Sequence, residues 1–154
     1  MADARTAALA FLKEHQAGVL STVTSDDKPH GSAIYYVADD AFNIFFVTLK
    51  TSRKFANLQE HPAVAFTVGR QDVPQTIQIE GVASALQHPE EIGAHGMDLM
   101  KALTSNSRYY APITKLDNDA TAIIWIQPKS VRWADYTTNA SGTENVIIDI
   151  PLTV

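Results

Sequence analysis

Strand-like runs recur at close, even spacing, and this constrains the fold more than any other feature of the chain. "VLSTVT" (Val19 to Thr24), "SAIYYV" (Ser32 to Val37) and "NIFFVT" (Asn43 to Thr48) are β-branched and aromatic, with turn formers in "SDDKPHG" and "ADDA" between them. The gaps are too short for parallel crossovers, so the three read as an antiparallel meander. "AVAFTVG" (Ala63 to Gly69) and "TIQIEGVASAL" (Thr76 to Leu86) continue the series, and Gly81 inside the second marks a bulge or a barrel corner. "TAIIWIQ" and "SVRWADY" add two further strands around Pro128. About seven strands with small helices in the connections predict a mainly β chain, a compact antiparallel barrel with helical insertions.

Three helices fit between these strands. Asp3 caps the first, whose stripe is Ala7, Ala8, Phe11, Leu12 and His15, and Gly18 is expected to end it. Ser52 to Glu60 is short and stopped by His61-Pro62. The third runs from Pro89 to Leu103, opened by a proline and two glutamates and weakened by Gly93 and Gly96. "TSNSRYYAPITKLDND" reads as an irregular loop. The apolar tail, Val146 to Val154, needs cover from the barrel or from a second subunit. With 45% hydrophobic and 19% charged residues, and no repeat or linker, the 154 residues read as a single domain, 1–154.

Charge and motif content exclude several functions. A net charge of -5 argues against a nucleic-acid or anionic-membrane surface, which needs clustered excess cations. The chain has no cysteine, so disulfides, thiolate metal sites and a Cys nucleophile are absent. The opening residues lack the basic and apolar regions of a signal peptide, and no apolar run reaches the roughly 18 residues of a membrane span, so a cytoplasmic protein is expected. His15, His30, His61, His88 and His95 show no metal-ligand spacing. "SDDK" (Ser25 to Lys28) has the SxxK string of acyl-transfer enzymes but falls in a turn, and "NAS" (Asn139 to Ser141) is only a formal sequon.

One stretch resists this dismissal. In "FFVTLKTSRKFANLQEHP" a strand becomes a helix, and Lys50, Arg53 and Lys54 gather there with Thr48, Thr51 and Ser52. A helix N-terminus has unpaired N–H groups and a partial positive charge, so it favours phosphate, and Arg53 adds a bidentate fork. The same residues also describe a capped helix with solvated charges. Local pattern alone leaves both readings open.

The order of the pieces goes further. From "GVLSTVT" to "AVAFTV" the sequence resembles the FMN-binding split-barrel family of pyridoxamine 5'-phosphate oxidases and general stress proteins. The resemblance rests on Thr48, Ser52-Arg53-Lys54, Asn57-Leu58 and His61-Pro62, and continues through "IQIEGVASAL" and "IWIQPKSVRW". It implies an antiparallel split β-barrel that binds FMN. It further implies that Arg53 and Lys54 hold the FMN phosphate with help from Thr48, beside Val47, and from Ser52. The strand through Ser32, Ala33, Ile34 and Tyr35 would lie along the flavin ring and present backbone groups. Thr76 or Gln78 would reach the flavin from a neighbouring strand, and Trp133 falls where the family often has an aromatic from the second subunit. A homodimer with flavin at its interface is the implied assembly.

Ser32 and Val37 stand where the oxidases themselves carry basic residues, and no arginine follows Arg132. Vitamin B6 oxidation is therefore not expected, and the stress-protein branch fits better. The expected function is FMN-dependent exchange of hydride or electrons with a small substrate or donor, with no acid or base residue evident. The alternatives are a non-enzymatic, stress-protective flavin-binding dimer, and a deazaflavin- or haem-using relative.

Overall fold

Asp3 opens the first helix as expected. Its carboxylate accepts the Thr6 N–H at 2.7 Å, and α1 runs over Ala4–Glu14. The computed structural model describes residues 3–70, 72–105, 118–137 and 146–152. Most of the expected "TSNSRYYAPITKLDND" loop and the Asn139 sequon lie outside the described residues. The helix stops at His15, not at Gly18. Gly18 instead sits inside β1 (Ala17–Val23), where an added Cβ would lie 2.5 Å from Phe66 Cζ. Close approach of a ring, not helix termination, explains this glycine.

β2 (Pro29–Tyr35) returns along β1 as a hairpin, from Ala17↔Tyr35 to Val23↔Pro29. The expected three-stranded meander ends there. β3 (Val37–Ala38) pairs with β4 (Ile44–Leu49), but β4 does not pair with β2; its other partner is β7 (Thr121–Asp135). The physical reason lies in β4 itself. Ile44, Phe46 and Thr48 face the core while Phe45 is buried on the opposite side in a second cluster with Leu99 and Ile123. A strand apolar on both faces needs cover on both: the core covers one face of β4, and Leu99 of α3 covers the other.

The remaining elements are α2 (Arg53–Glu60), β5 (Ala63–Gly69), β6 (Gln75–Ala85), α3 (Pro89–Thr104), a 3-10 turn at Asn118–Ala120, and β8 (Ile147–Asp149). The sheet order is β2-β1-β5-β6-β7-β4-β3, with β8 on β7, and every pairing is antiparallel. β7 is one strand of 15 residues rather than two strands around Pro128. The register shifts between Glu80↔Ser130 and Gly81↔Pro128, so the proline falls at a bulge, where its missing N–H is tolerated. An added Cβ on Gly81 would lie 2.5 Å from Gln127 O, so the bulge Gly81 was expected to mark also brings two backbones close together.

Alternation along the strands divides the sheet into an inner and an outer face. Leu20, Phe66, Ile77, Ile79, Ile124 and Ile126 turn inward, and α1 closes one end with Phe11 and Leu12. Tyr36 joins this end: its hydroxyl donates to Leu12 O at 2.6 Å, and burial pushes its pKa up. Part of the tail is covered by the barrel: Ile150 is buried in the same core and Arg5 Nη1 donates to Pro151 O at 2.7 Å, while Ile148 stays exposed. Among the described residues no helix is long and apolar enough to cross a membrane.

Candidate functional site

The sheet curls but does not close. β2 is its terminal strand, and β4 beyond Phe45 has no partner on the side away from β7. Among the described residues these two edges have no further strand between them, and they approach within 8 Å, Cα to Cα, leaving a slot between β2 and β4. Unpaired strand edges offer donors and acceptors in register, as a planar heterocycle requires.

α2 seals one end of the slot. Ser52 is its N-cap: the side-chain oxygen accepts the Phe55 N–H at 3.1 Å and lies 3.0 Å from the Thr48 hydroxyl. Thr48 is buried at the end of β4, so a strand and a helix start are held together by two hydroxyls. Arg53 and Lys54 then occupy the first turn, which carries no acidic residue. Among the described residues neither cation forms an ion pair. The Asp26 carboxyl is held below the usual range chiefly by the Thr24 hydroxyl and by Lys28, with Arg53 only a distant contributor. Two cations at a helix start oppose the dipole, and among the described residues Asp26 offsets Arg53 only weakly.

Below the cations lies a polar cluster that sequence reasoning missed. Asn57 Nδ2 donates to Thr22 Oγ1 at 2.9 Å and to His30 Nδ1 at 3.3 Å, and Thr22 Oγ1 donates to His30 O at 3.4 Å. Thr22, Thr48 and Asn57 are the buried polar side chains among the described residues. An asparagine in the middle of a short helix, where it is a poor former, was the signal available. These bonds fasten α2 to β1 and β2, and they set His30 at the same end of the slot as Thr48.

The other expected site residues divide. Ser32, Ala33 and Tyr35 lie on the terminal strand β2, while the Ile34 side chain points into the core. Val47 sits on the slot edge by its backbone, but its side chain lines a separate cavity under α3. Thr76 and Gln78 are on the outer face of β6, alternating with the buried positions of that strand. The register runs from Ala122, opposite Thr48, to Arg132, opposite Gln78, roughly 30 Å of strand. Trp133 is not brought to the site: it is 3% exposed, with its ring 5.1 Å from that of Phe11. Inward alternation on β7 made it a core residue.

The cavity is the other concave feature. It measures about 1070 Å³ and lies between α3, the outer side of β4 and β7, and one side of α2. Phe55 and Gln59 of α2 line it, whereas Arg53 and Asn57 share the opposite helix face. α2 therefore stands between cavity and slot. No group of three or more metal-ligating side chains occurs among the described residues.

Residues 4–134 match the family model described as pyridoxamine 5'-phosphate oxidase. Among solved structures, the conserved hypothetical protein Rv2991 from Mycobacterium tuberculosis matches with 25% identity and a TM-score of 0.68, over 88% of this chain and 85% of its own. A putative pyridoxamine 5'-phosphate oxidase from Listeria innocua matches with 21% identity and a TM-score of 0.68, over 85% and 98%. A heme binding protein from Mycobacterium smegmatis shares the fold at 15% identity and a TM-score of 0.75, over 99% of this chain and 59% of that one. An F420 reductase and General Stress Protein 26 from Bacillus anthracis share it as well. Curated proteins give no significant match. On the match over residues 4–134, this chain belongs to the pyridoxamine 5'-phosphate oxidase family.

Proposed function

We propose that the chain binds FMN in the slot between β2 and β4 and acts as an oxidoreductase on a small substrate. The observation that carries this reading is the first turn of α2, with Arg53 and Lys54, no acid, and no ion-pair partner among the described residues. Ser52, Thr48 and the two cations would hold the phosphate, which carries about −1.5 to −2 charges at neutral pH. The Ser32 to Tyr35 edge would hydrogen-bond the ring through its backbone. Bound flavin would supply the hydride or electron exchange, and the protein its position and surroundings.

The reading includes a second copy. Thr76 and Gln78 lie on β6, three strands from β2 on the outer face, so a partner's outer sheet face would bring them to the flavin. That face supports the proposal by its composition. The register sets Ala33, Val19, Thr67 and Gln78 side by side across β2, β1, β5 and β6, with Val19 49% exposed and Tyr35 and Val82 exposed close by. Small side chains with apolar ones among them suit a flat, close interface.

The substrate proposed is not a B6 phosphate. Ser32 and Val37 offer no charge where a second phosphate would need one, and an unpaired buried charge is costly. The absorbance spectrum of the purified protein, followed by release of its chromophore, tests the cofactor: FMN supports the reading, and haem or a deazaflavin overturns it.

A further inference from the structure

We propose that the cavity under α3 is a second ligand site, separate from the flavin slot, and that it takes a small amphipathic anion: an aliphatic or aromatic acid. Its walls are apolar, built from Phe55, Leu86, Ile92, Met97, Met100 and Leu103. Met97 is 65% exposed and Met100 44%, an unusual exposure for two methionines on one helix face unless something apolar lies against them. Methionine side chains adapt to ligands of varied shape.

The helix leaves room on purpose of its sequence. Gly93 and Gly96 both line the cavity, in a helix interior where glycine weakens the helix. Neither has a positive φ. A Cβ on Gly96 would touch Ile123 Cδ1 at 3.4 Å, so this glycine lets α3 lie close on β7, whereas a Cβ on Gly93 would meet nothing within 4 Å. What Gly93 provides is volume. About 1070 Å³ is the size of a small-molecule pocket, with a few polar groups among apolar walls.

Charge selects the ligand. Lys50 and Lys101 line the cavity, and neither forms an ion pair among the described residues. Asp119, which also lines it, is engaged in an interaction of its own. Two free cations against an apolar wall fit an acid head on an apolar body, and disfavour a cation or a neutral sugar. The proposal does not depend on the flavin reading, since α2 separates the two spaces.

Titration with 8-anilinonaphthalene-1-sulfonate, an aromatic sulfonate, and displacement by laurate test it. The full chain should bind the probe saturably at one site per chain. Laurate should displace the probe at least tenfold better than dodecanol, which lacks the charge. Gly93→Trp should weaken probe and laurate binding tenfold or more by filling the space, while Gly93→Ala keeps both. FMN should not displace the probe. Absence of saturable binding, equal losses in Gly93→Ala and Gly93→Trp, equal displacement by the alcohol, or displacement by FMN would each overturn the assignment.

Discussion

Asn57 donates to the Thr22 hydroxyl across 2.9 Å, and this bond ties the middle of α2 to β1 directly beneath the two cations. Both side chains are buried, so removing either leaves the other without its partner. Asn57→Leu and Thr22→Val should each destabilise the fold by about 1–3 kcal/mol. The double variant should cost less than the two single costs added together, because neither side chain of the pair is then left facing a lost partner, although His30 loses its contacts to both. Urea unfolding of the four proteins measures this; strict additivity would show that the bond does not couple the helix to the strand.

Gly18 faces the Phe66 ring, which an added Cβ would approach to 2.5 Å. Gly18→Ala should destabilise by about 1–3 kcal/mol through overpacking. Phe66→Leu in the same chain should recover part of that loss, since it removes the clashing ring edge. Thermal melts of the single and double variants decide it, and a neutral Gly18→Ala would show that close approach of the Phe66 ring does not require the glycine.

Asp3 makes the start of α1 sensitive to acid. Its carboxyl is lowered from the usual 3.8 mainly by the hydrogen bond from the Thr6 N–H. A group whose folded pKa is depressed stabilises the fold fully above its unfolded value, and that contribution is lost as pH falls through the folded one. Asp3→Ala should therefore lower Tm at pH 7, and the gap to wild type should shrink below pH 3.8. A gap that stays constant down to the acid limit would rule out the carboxylate cap.

The sequence announced the chemistry of the α2 start better than the path of the chain. Ser52, Arg53 and Lys54 are contiguous, so capping and charge could be read locally, and Gly81 marked its bulge. What failed depended on distant partners. β4 was placed beside β2 because the two are close in sequence, whereas its two apolar faces required the core on one side and α3 on the other. Trp133 was placed by resemblance where the family often has an aromatic from the second subunit, and alternation along the strand turns its side chain to the core of its own chain. The Thr22, Asn57 and His30 cluster joins three elements separated by loops and has no local pattern.

The outer sheet face should hold the second copy. Val19 is exposed in its middle, so Val19→Asp introduces a charge there without touching the core. Sedimentation should give a dimer for wild type at micromolar concentration and a monomer for Val19→Asp, with FMN affinity falling at the same time. A wild-type monomer, or a dimeric variant with intact affinity, would contradict the shared site.

The central claim is that Arg53 and Lys54 serve a phosphate. Ser52 supplies the cap, so replacing both cations with alanine leaves it in place, and loss of two charges opposing the dipole should not weaken the helix. Each charge-assisted contact contributes roughly 1.5 to 3 kcal/mol, so the double variant should bind FMN about 100-fold more weakly or worse. Riboflavin lacks the phosphate, and its affinity should stay unchanged. Titrating wild type and Arg53→Ala/Lys54→Ala with both flavins is the most direct measurement: the account predicts a large loss for FMN alone, and equal FMN affinity in the two proteins would contradict it.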